Sequence, residues 1–479
     1  MFALGGGWMD SGQRYEIRMN GPVNRRRWLR GSAFMAFAVM VGLLWLEATG
    51  RVAWPRSAVF QSILVAVLVL NLAWWLRSDL RLVQVGGRPV VRRWSRLVLA
   101  AYMILMLAPA FGMLRGSLDW RLLPTPLVMW VQLWHMLIVL AVPIGAISGV
   151  CIWAVASIRG RRSGRPSVSD EVDVSRRAFL HCAAVAAPVF VAGGGAAAGM
   201  WQVGRLAIRR YAVSPPGLPD RLRGLTITHL SDFHIGRLYQ MGHFRRAVDA
   251  ANRLDSDIVV ITGDLVDHSN QVLPEALDTL RGLRHRYGLF ACLGNHDLID
   301  DGDLFVACLR REGVPLLVNE RREIDIGGER LRIGGLMWSR RDTGTPQRPG
   351  HEQCAEATFG PRSPDSVEPF TIALAHHPHA FDATAGRRIP LTLTGHTHGG
   401  QLMLTPPGWP DIGAGNMLFR YIRGFYTGDG ATGTARALSD EEVACVRSGQ
   451  PILFVNAGAG NWFPVRINAP AEIVQLRLV

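Results

Sequence analysis

The chain has 479 residues, 49% of them hydrophobic and only 19% charged, too apolar for a protein that is water-soluble along its whole length. Its formal net charge of +14 is carried by arginine alone, because the sequence contains no lysine. Much of that arginine flanks apolar runs, where it sets membrane topology, so nucleic acid is not expected as a partner.

Residues 1–30 form a basic tail (Arg14, Arg18, Arg25, Arg26, Arg27, Arg30) that does not read as a cleavable signal peptide. Residues 31–158 read as an all-α region of four transmembrane helices, in the charge-poor runs 31–48, 57–76, 97–114 and 122–158. Each run is long enough to cross about 30 Å of hydrocarbon as a helix, and none alternates with the period of a strand. The fourth run is long and contains Pro143, which leaves room for two short spans or a re-entrant piece. It also contains His135, which reads either as a proton or metal group or as a neutral ring bonded to a neighbouring helix.

Residues 159–177 form a basic linker ending in Ser175-Arg176-Arg177-Ala178-Phe179-Leu180. The paired arginines followed by Phe-Leu and a weakly apolar helix at 178–200 resemble a twin-arginine export signal, here internal. The other reading is an ordinary fifth span. In both cases the arginine-rich segments stay in the cytoplasm, and five spans put everything after residue 200 on the periplasmic or outer side of an inner membrane, whereas an even number of spans reverses this.

From residue 223 to 479 the pattern becomes α/β. Strands are expected at 225–230, 258–261, 289–293, 316–318, 323–326, 331–336, 370–375, 391–394, 452–455 and 473–478. Helices are expected at 241–254, 274–286 and 303–311, and 340–366 reads as a surface loop. Alternating elements followed by strands imply two sheets packed face to face with helices outside. The six cysteines (Cys151, Cys182, Cys292, Cys308, Cys354, Cys445) form no C-x-x-C pair, so neither a disulfide framework nor a zinc-finger spacing is read from them.

The chemistry lies at the ends of the short apolar runs: Asp232 and His234 in SDFH, Asp264 in TGDL, Asn295, His296 and Asp297 in GNHD, His376 in LAHHP, His396 and His398 in GHTHGG. Carboxylate, amide and imidazole donors without thiolate suit manganese, iron or zinc. A pair of divalent ions needs one carboxylate to bridge them, and Asp264 after Gly263 is suited to that place. Asp232 and His234 reach one ion, Asn295 offers a neutral oxygen, His376 and His396 complete one ion and His398 the other. Such a pair would clamp phosphate oxygens and turn a bridging water into the attacking hydroxide. His296 is placed to protonate the leaving oxygen, with Asp297 beside it to hold the ring.

This order of motifs, D-x-H, G-D, G-N-H-D, H and G-H-x-H, resembles the calcineurin-like metallophosphoesterase family. The extended GHTHGGQ ending at Gln401 and the tail with Pro464, Arg466 and Pro470 resemble its membrane-associated bacterial branch and transmembrane proteins with a metallophosphoesterase domain. The resemblance covers residues 223–479 and implies a four-layer αββα sandwich. It implies one metal on Asp232, His234, Asp264 and His398, a second on Asp264, Asn295, His376 and His396, and His296 as the catalytic histidine. His379 stands where relatives commonly have aspartate, at the expected substrate rim. Arg237 and Tyr239 are weaker candidates for that rim, and Arg466 reads either as a phosphate contact or as a structural ion pair. His377 is expected outside the ligand set, and His229, His243, His285 and His351 are read as surface or packing residues.

The function expected is a membrane-anchored phosphoester hydrolase acting on an envelope or lipid-linked substrate. One alternative is hydrolysis of UDP-2,3-diacylglucosamine in lipid A metabolism, against which a periplasmic domain argues. Another is a metal-binding membrane sensor without turnover.

Overall fold

Strand 258–262 explains the architecture. All five of its residues are buried, and they divide between two cores: Ile258 and Val260 into one, Val259 and Ile261 into the other. A strand apolar on both faces must be covered on both faces. In the computed structural model, the described residues are 56–84, 89–114, 123–160, 170–339, 350–360, 368–404, 412–417, 419–428, 436–437 and 445–479. They fall into two compact units, one comprising Met1–Leu122 with Val131–Ala192, the other Leu123–Trp130 with Gly193–Val479.

Among the described residues, four long helices run through the first part of the chain: α1 (Arg56–Gln84), α2 (Pro89–Leu114), α3 (Thr125–Gly160) and α4 (Asp170–Gln202). The expected span at 31–48 lies outside the described residues, as do side chains at 57–61 and 110–114 of the next two. Among the described residues two segments are long and apolar enough to cross a membrane, Thr125–Gly145 in α3 and Phe179–Gln202 in α4. The run with Pro143 is one continuous helix. His135 takes the bland reading: its Nδ1 lies 3.1 Å from Asn71 Nδ2 on α1, and Trp134 donates to Asn71 Oδ1 at 2.7 Å.

The second unit holds two mixed sheets. The first, in the order β13-β1-β15-β2-β3-β4, is built from β1 (Ala207–Ser214), β2 (Thr226–Leu230), β3 (Ile258–Thr262), β4 (Gly288–Cys292), β13 (Cys445–Arg447) and β15 (Glu472–Leu478). The second, in the order β12-β11-β14-β8-β7-β6-β5, contains β5 (Glu320–Ile326), β6 (Glu329–Gly335), β7 (Phe370–Leu374), β8 (Leu391–Thr394), β11 (Gly424–Thr427), β12 (Arg436–Ala437) and β14 (Ile452–Val455). A small hairpin, β9 (Met403–Leu404) with β10 (Ile412–Gly413), stands apart. The sheets meet through one core, with Ile227, Ile258, Val260 and Leu476 from the first and Ile333, Ile372, Leu393 and Phe454 from the second. Helices α5 (Met241–Asn252), α6 (Leu273–Leu280) and α7 (Gly302–Arg311) cover the outer face of the first sheet through Phe244, Leu277 and Phe305. Helices α8 (His351–Phe359) and α9 (Ala380–Gly386) cover the second through Ala355, Ala380 and Ala383.

Several elements differ from expectation. The expected loop at 340–366 contains α8, and residues 316–318 make only an isolated bridge from Leu316 to Ala291 instead of a strand. The helix expected over 274–286 stops at Leu280, because Arg281 and Gly282 already turn the chain back toward β4. The first sheet begins before residue 223, since β1 pairs in parallel with both β15 and β13. Cys151, Cys182, Cys292, Cys308 and Cys354 are free thiols.

β2, β3 and β4 run parallel, as do β6, β7, β8 and β14, so their carboxyl ends gather at one edge of the sandwich. Ligands bind at such edges, where strands end and loops begin. His229 shows what this edge demands of the interior. It is fully buried on β2, with Nε2 2.8 Å from Thr262 Oγ1 and its ring 5.8 Å from that of Phe454. Burial pushes its pKa down to about 3. The unfolded chain therefore binds a proton near pH 6.5 that the folded chain refuses, so His229 lowers stability as pH falls from 6.5 toward 3, by about 1.4 kcal/mol one pH unit below 6.5. Thermal melts of the full chain at pH 7.5 and 5.5 are expected to differ less for His229→Leu than for the parent; an unchanged difference would show that His229 is not the group responsible.

Candidate metal centre

Every expected ligand lies just beyond a strand end. Asp232 and His234 follow β2, Asp264 follows β3, Asn295 follows β4, His376 follows β7, and His396 and His398 follow β8. Five of these seven adopt left-handed backbone: Asp232 (φ 54°), His234 (φ 49°), Asp264 (φ 54°), His396 (φ 74°) and His398 (φ 51°). That conformation costs an L-residue about 1–2 kcal/mol and persists where surrounding contacts impose it. The contacts here include three glycines with no room for a side chain. A Cβ on Gly294 would strike the Asp264 carboxylate, one on Gly395 would strike Ser231 and Asp232, and one on Gly263 would lie 2.7 Å from His376 Nδ1.

The side chains converge as two groups around one carboxylate. Asp264 Oδ2 lies 3.4 Å from His234 Nε2 and 3.1 Å from His376 Nε2. On one side, His234 Nε2 and His398 Nε2 are 2.9 Å apart, with Asp232 Oδ1 at 4.0 and 3.5 Å from them. On the other, His376 Nε2 and His396 Nδ1 are 3.2 Å apart. Asp232–His234–His398 and Asp264–His376–His396 each bring ligand atoms within 4.8 Å of one another. Asn295 Oδ1 is buried without a hydrogen-bond partner among the described residues, an isolated acceptor of the kind that a cation satisfies. Oxygen and imidazole donors of this number fit hard or borderline divalent ions.

The surrounding bonds orient the ligands. His376 Nδ1 lies 2.6 Å from the carbonyl of Thr262, which turns Nε2 toward Asp264. Asp232 accepts the backbone N–H of His396, and Asp264 Oδ1 accepts that of His296 at 2.8 Å. Burial by itself raises the pKa of Asp264, but the imidazoles of His376 and His234 outweigh it and hold the group well below the carboxylate range. His376 shows the reciprocal effect: burial lowers it, the carboxylates of Asp264 and Asp232 prevail, and it is raised to about 9. His396 and His398 are pushed far down, first by burial and then by neighbouring positive charge.

The GNHD motif divides its work differently from the sequence reading. Asp297 does not hold the His296 ring. Its buried carboxylate accepts four backbone N–H groups, from Gly294 and Asp264 at 2.9 Å, Leu265 at 2.8 Å and Val266 at 3.3 Å. It thus fastens the loop after β3 to the loop after β4. The His296 ring is held instead by Asp267, a residue missed in the sequence reading: Nδ1 lies 2.7 Å from its carbonyl oxygen and 3.3 Å from its carboxylate. The same carboxylate oxygen lies 2.8 Å from His268 Nδ1 and 3.5 Å from His234 Nδ1. Burial lowers His296, the bond to Asp267 and the charge of Asp264 outweigh it, and its pKa rises to about 9. The only signal for Asp267 was its place three residues after Asp264.

The weaker candidates sort clearly. Arg466 has no ion-pair partner among the described residues; it is buried and donates to the carbonyls of His398, Ala469 and Gly460 and to Asn461 Oδ1. Tyr239 is fully buried, and Arg237 donates to Thr125 Oγ1. His377 is buried beside the site, its ring 5.0 Å from that of His396, and His379 Nε2 accepts the N–H of Arg420. Trp338, unremarked in the sequence, lies 4.9 Å from the His396 ring and 5.3 Å from that of His376. His351 and His229 are packing residues, as expected.

Asp297→Asn would turn an amide N–H₂ toward backbone donors and leave at least one buried N–H unpaired, at about 1–3 kcal/mol each. We expect that variant to lose bound metal under limiting metal and to melt lower, whereas His296→Asn keeps its metal; elemental analysis per chain reads both, and equal metal in the two would contradict this division of roles.

Comparison with known proteins agrees with the geometry. Residues 225–400 match the model of the calcineurin-like phosphoesterases. An uncharacterized metallophosphoesterase of Helicobacter pylori is 29% identical over 263 residues, 54% of this chain and 61% of that protein. A transmembrane protein with metallophosphoesterase domain from Danio rerio is 31% identical over 191 residues, 39% of this chain and 43% of the relative. An uncharacterized metallophosphoesterase of Bacillus subtilis is 27% identical over 252 residues, 49% of this chain and 82% of the relative. The chain thus spans less than two thirds of the length of the first two.

Proposed function

We propose, from the premise that residues 225–400 carry a calcineurin-like phosphoesterase domain, that this protein is a dimetal phosphoester hydrolase anchored in a membrane. The observation that carries the reading is the position of Asp264 Oδ2, within 3.4 Å of one histidine group and 3.1 Å of the other. Asp232, His234 and His398 would hold one divalent ion and His376, His396 and Asn295 the other, with Asp264 shared. Such ions, manganese, iron or zinc, supply charge to bind phosphate oxygens and acidify a water at the site.

The remaining work belongs to the protein. His296 is a partly open member of the site, its side chain 17% exposed where those of Asp232, His234 and His376 are almost fully buried. With Nδ1 directed at Asp267, its Nε2 proton is free to pass to the departing alkoxide. Asp267 is a positioning residue, which keeps the ring turned and protonated. Asp297 keeps two ligand loops in register.

The membrane anchor is read from the two apolar helices, of which Phe179–Gln202 has only 11% of its apolar window buried. A helix this apolar and this exposed is expected to find its solvent in lipid. With arginine-rich segments on the cytoplasmic side, the catalytic unit faces the periplasm or cell exterior, and the substrate is an envelope or lipid-linked phosphoester. The paired arginines Arg176 and Arg177 lie in α4 just before that apolar segment.

The full chain is expected to hydrolyse an aryl phosphate in a divalent metal-dependent manner, lost with a chelator and restored by manganese, iron or zinc. His296→Asn should lower kcat by roughly two to four orders of magnitude, and Asp264→Asn should reduce it to background. Full turnover in Asp264→Asn would refute the reading. A reporter fused after Val479 that is active only outside the cytoplasm should be active; activity of a cytoplasm-only reporter there would reverse the topology.

A further inference from the structure

We propose that the mouth of the metal site is seated on the headgroup layer of the bilayer, through a rim formed by Trp462 and Ile467, so that substrate is taken from the membrane surface. The inference rests on the reading of the centre as a hydrolase and of the two apolar helices as spans, and adds a docking surface to them.

Two observations fix where the spans leave the membrane. The catalytic unit itself includes the first turns of one span, Leu123–Trp130, and the last turns of the other, from Gly193. These ends pack on each other and on the site. The Trp130 ring lies 3.5 Å from where a Cβ of Gly193 would stand, and Met129 and the Pro464 carbonyl crowd Gly199 so closely that no side chain fits there. Gln202 Oε1 accepts the N–H of Arg466 at 3.2 Å. At the other flank, Arg237, three residues after His234, donates to Thr125 Oγ1.

The loop 461–467 that receives α4 is also the wall of the metal site. Arg466 donates from one end of it to Asn461 Oδ1 and to the carbonyl of His398, while Gln401 Nε2 donates to the carbonyl of Phe463 at 2.6 Å. The loop therefore cannot move away from His398 without breaking buried bonds. Two of its apolar side chains nevertheless face outward. Trp462 is 52% exposed with its ring 6.4 Å from that of His398, and Ile467 is 48% exposed. Beside them at the end of α4, Trp201 is 65% exposed and carries the Arg205 guanidinium 3.3 Å above its ring.

Large apolar side chains are exposed at a cost unless something covers them. Here the cover follows from continuity: the loop packs on the end of the spanning helix at Gly199 and Gln202, where Met200 and Trp201 are exposed. Tryptophan beside arginine at a helix end is the composition of the membrane–water interface, where the ring sits at headgroup depth and the cation meets phosphate. A rigid loop joining that depth to His398 holds the metal site at the height of lipid phosphates.

The test uses the full chain with its six cysteines replaced, reconstituted in phosphatidylcholine–phosphatidylglycerol vesicles. Single cysteines at Trp462→Cys, Ile467→Cys and, as a distant control on the edge strand β5, Arg322→Cys carry an environment-sensitive fluorophore. Lipids brominated on their acyl chains should quench 462 and 467 by about half or more and leave 322 unchanged. Quenching of 462 and 467 by aqueous iodide as strongly as 322 would overturn the docking surface. Shielding of both from iodide without quenching by lipid would also overturn it, in favour of a protein partner or a second copy of the chain. Hydrolysis of an aryl phosphate, followed in the same vesicles, separates the two readings: turnover without lipid quenching defeats docking alone, whereas quenching without turnover defeats the hydrolase and leaves the surface.

Discussion

A carboxylate withdrawn from water and shared between two groups of imidazoles is the centre on which this fold depends. Asp264 could not stay ionised at that depth by itself, because burial penalises its charge. It is kept charged by His376 and His234, and His376 is in turn held protonated by it. Each neighbour is then bound to the frame by something else: His376 by the Thr262 carbonyl, His396 through its backbone N–H by Asp232, the loop of Asp264 by Asp297. The site is a network in which any one ligand is positioned by the partners of another.

The sandwich makes that network possible. Ligands from the first sheet (Asp232, His234, Asp264, Asn295) and from the second (His376, His396, His398) meet because parallel strands of both end at a common edge. The shared core of Ile227, Ile258, Leu393 and Phe454 keeps the two sheets in place beneath it. His229 extends the polar edge one layer inward, bonded to Thr262, whose carbonyl orients His376.

What could be read in the sequence was local. A residue that follows an apolar run carries its own signal, so seven metal-ligand candidates and His296 could be named from the sequence, and the fold brings them together. Contacts that depend on the third dimension carried none. Asp267 is one turn of loop away from Asp264, and only the fold brings its carbonyl under His296. Asp297 adjoins His296 in sequence, yet its carboxylate points the other way, into four N–H groups. Strand β1 was missed because its pattern is weak, with two exposed arginines at 209 and 210, and because its partners Glu472–Leu478 lie far along the chain. Helix α8 was hidden by its glycine- and proline-rich flanks, and its amphipathic pattern is faint.

The strain at the ligands bears on stability as well as chemistry. Five left-handed residues, imidazoles packed at contact distance and an Asn295 oxygen with no hydrogen-bond partner among the described residues are features that a folding chain avoids unless something repays them. Part of the compensation is built in, in the hydrogen bonds of Asp297, Arg466 and Asp267. A divalent ion held there would supply the rest, giving Asn295 a partner and relieving the buried carboxylates. A ligand that binds only the assembled loops adds its binding free energy to the fold. The strand-end edge is thus the part of the unit whose order a bound metal would favour most, while the inter-sheet core, apolar and buried, holds without it.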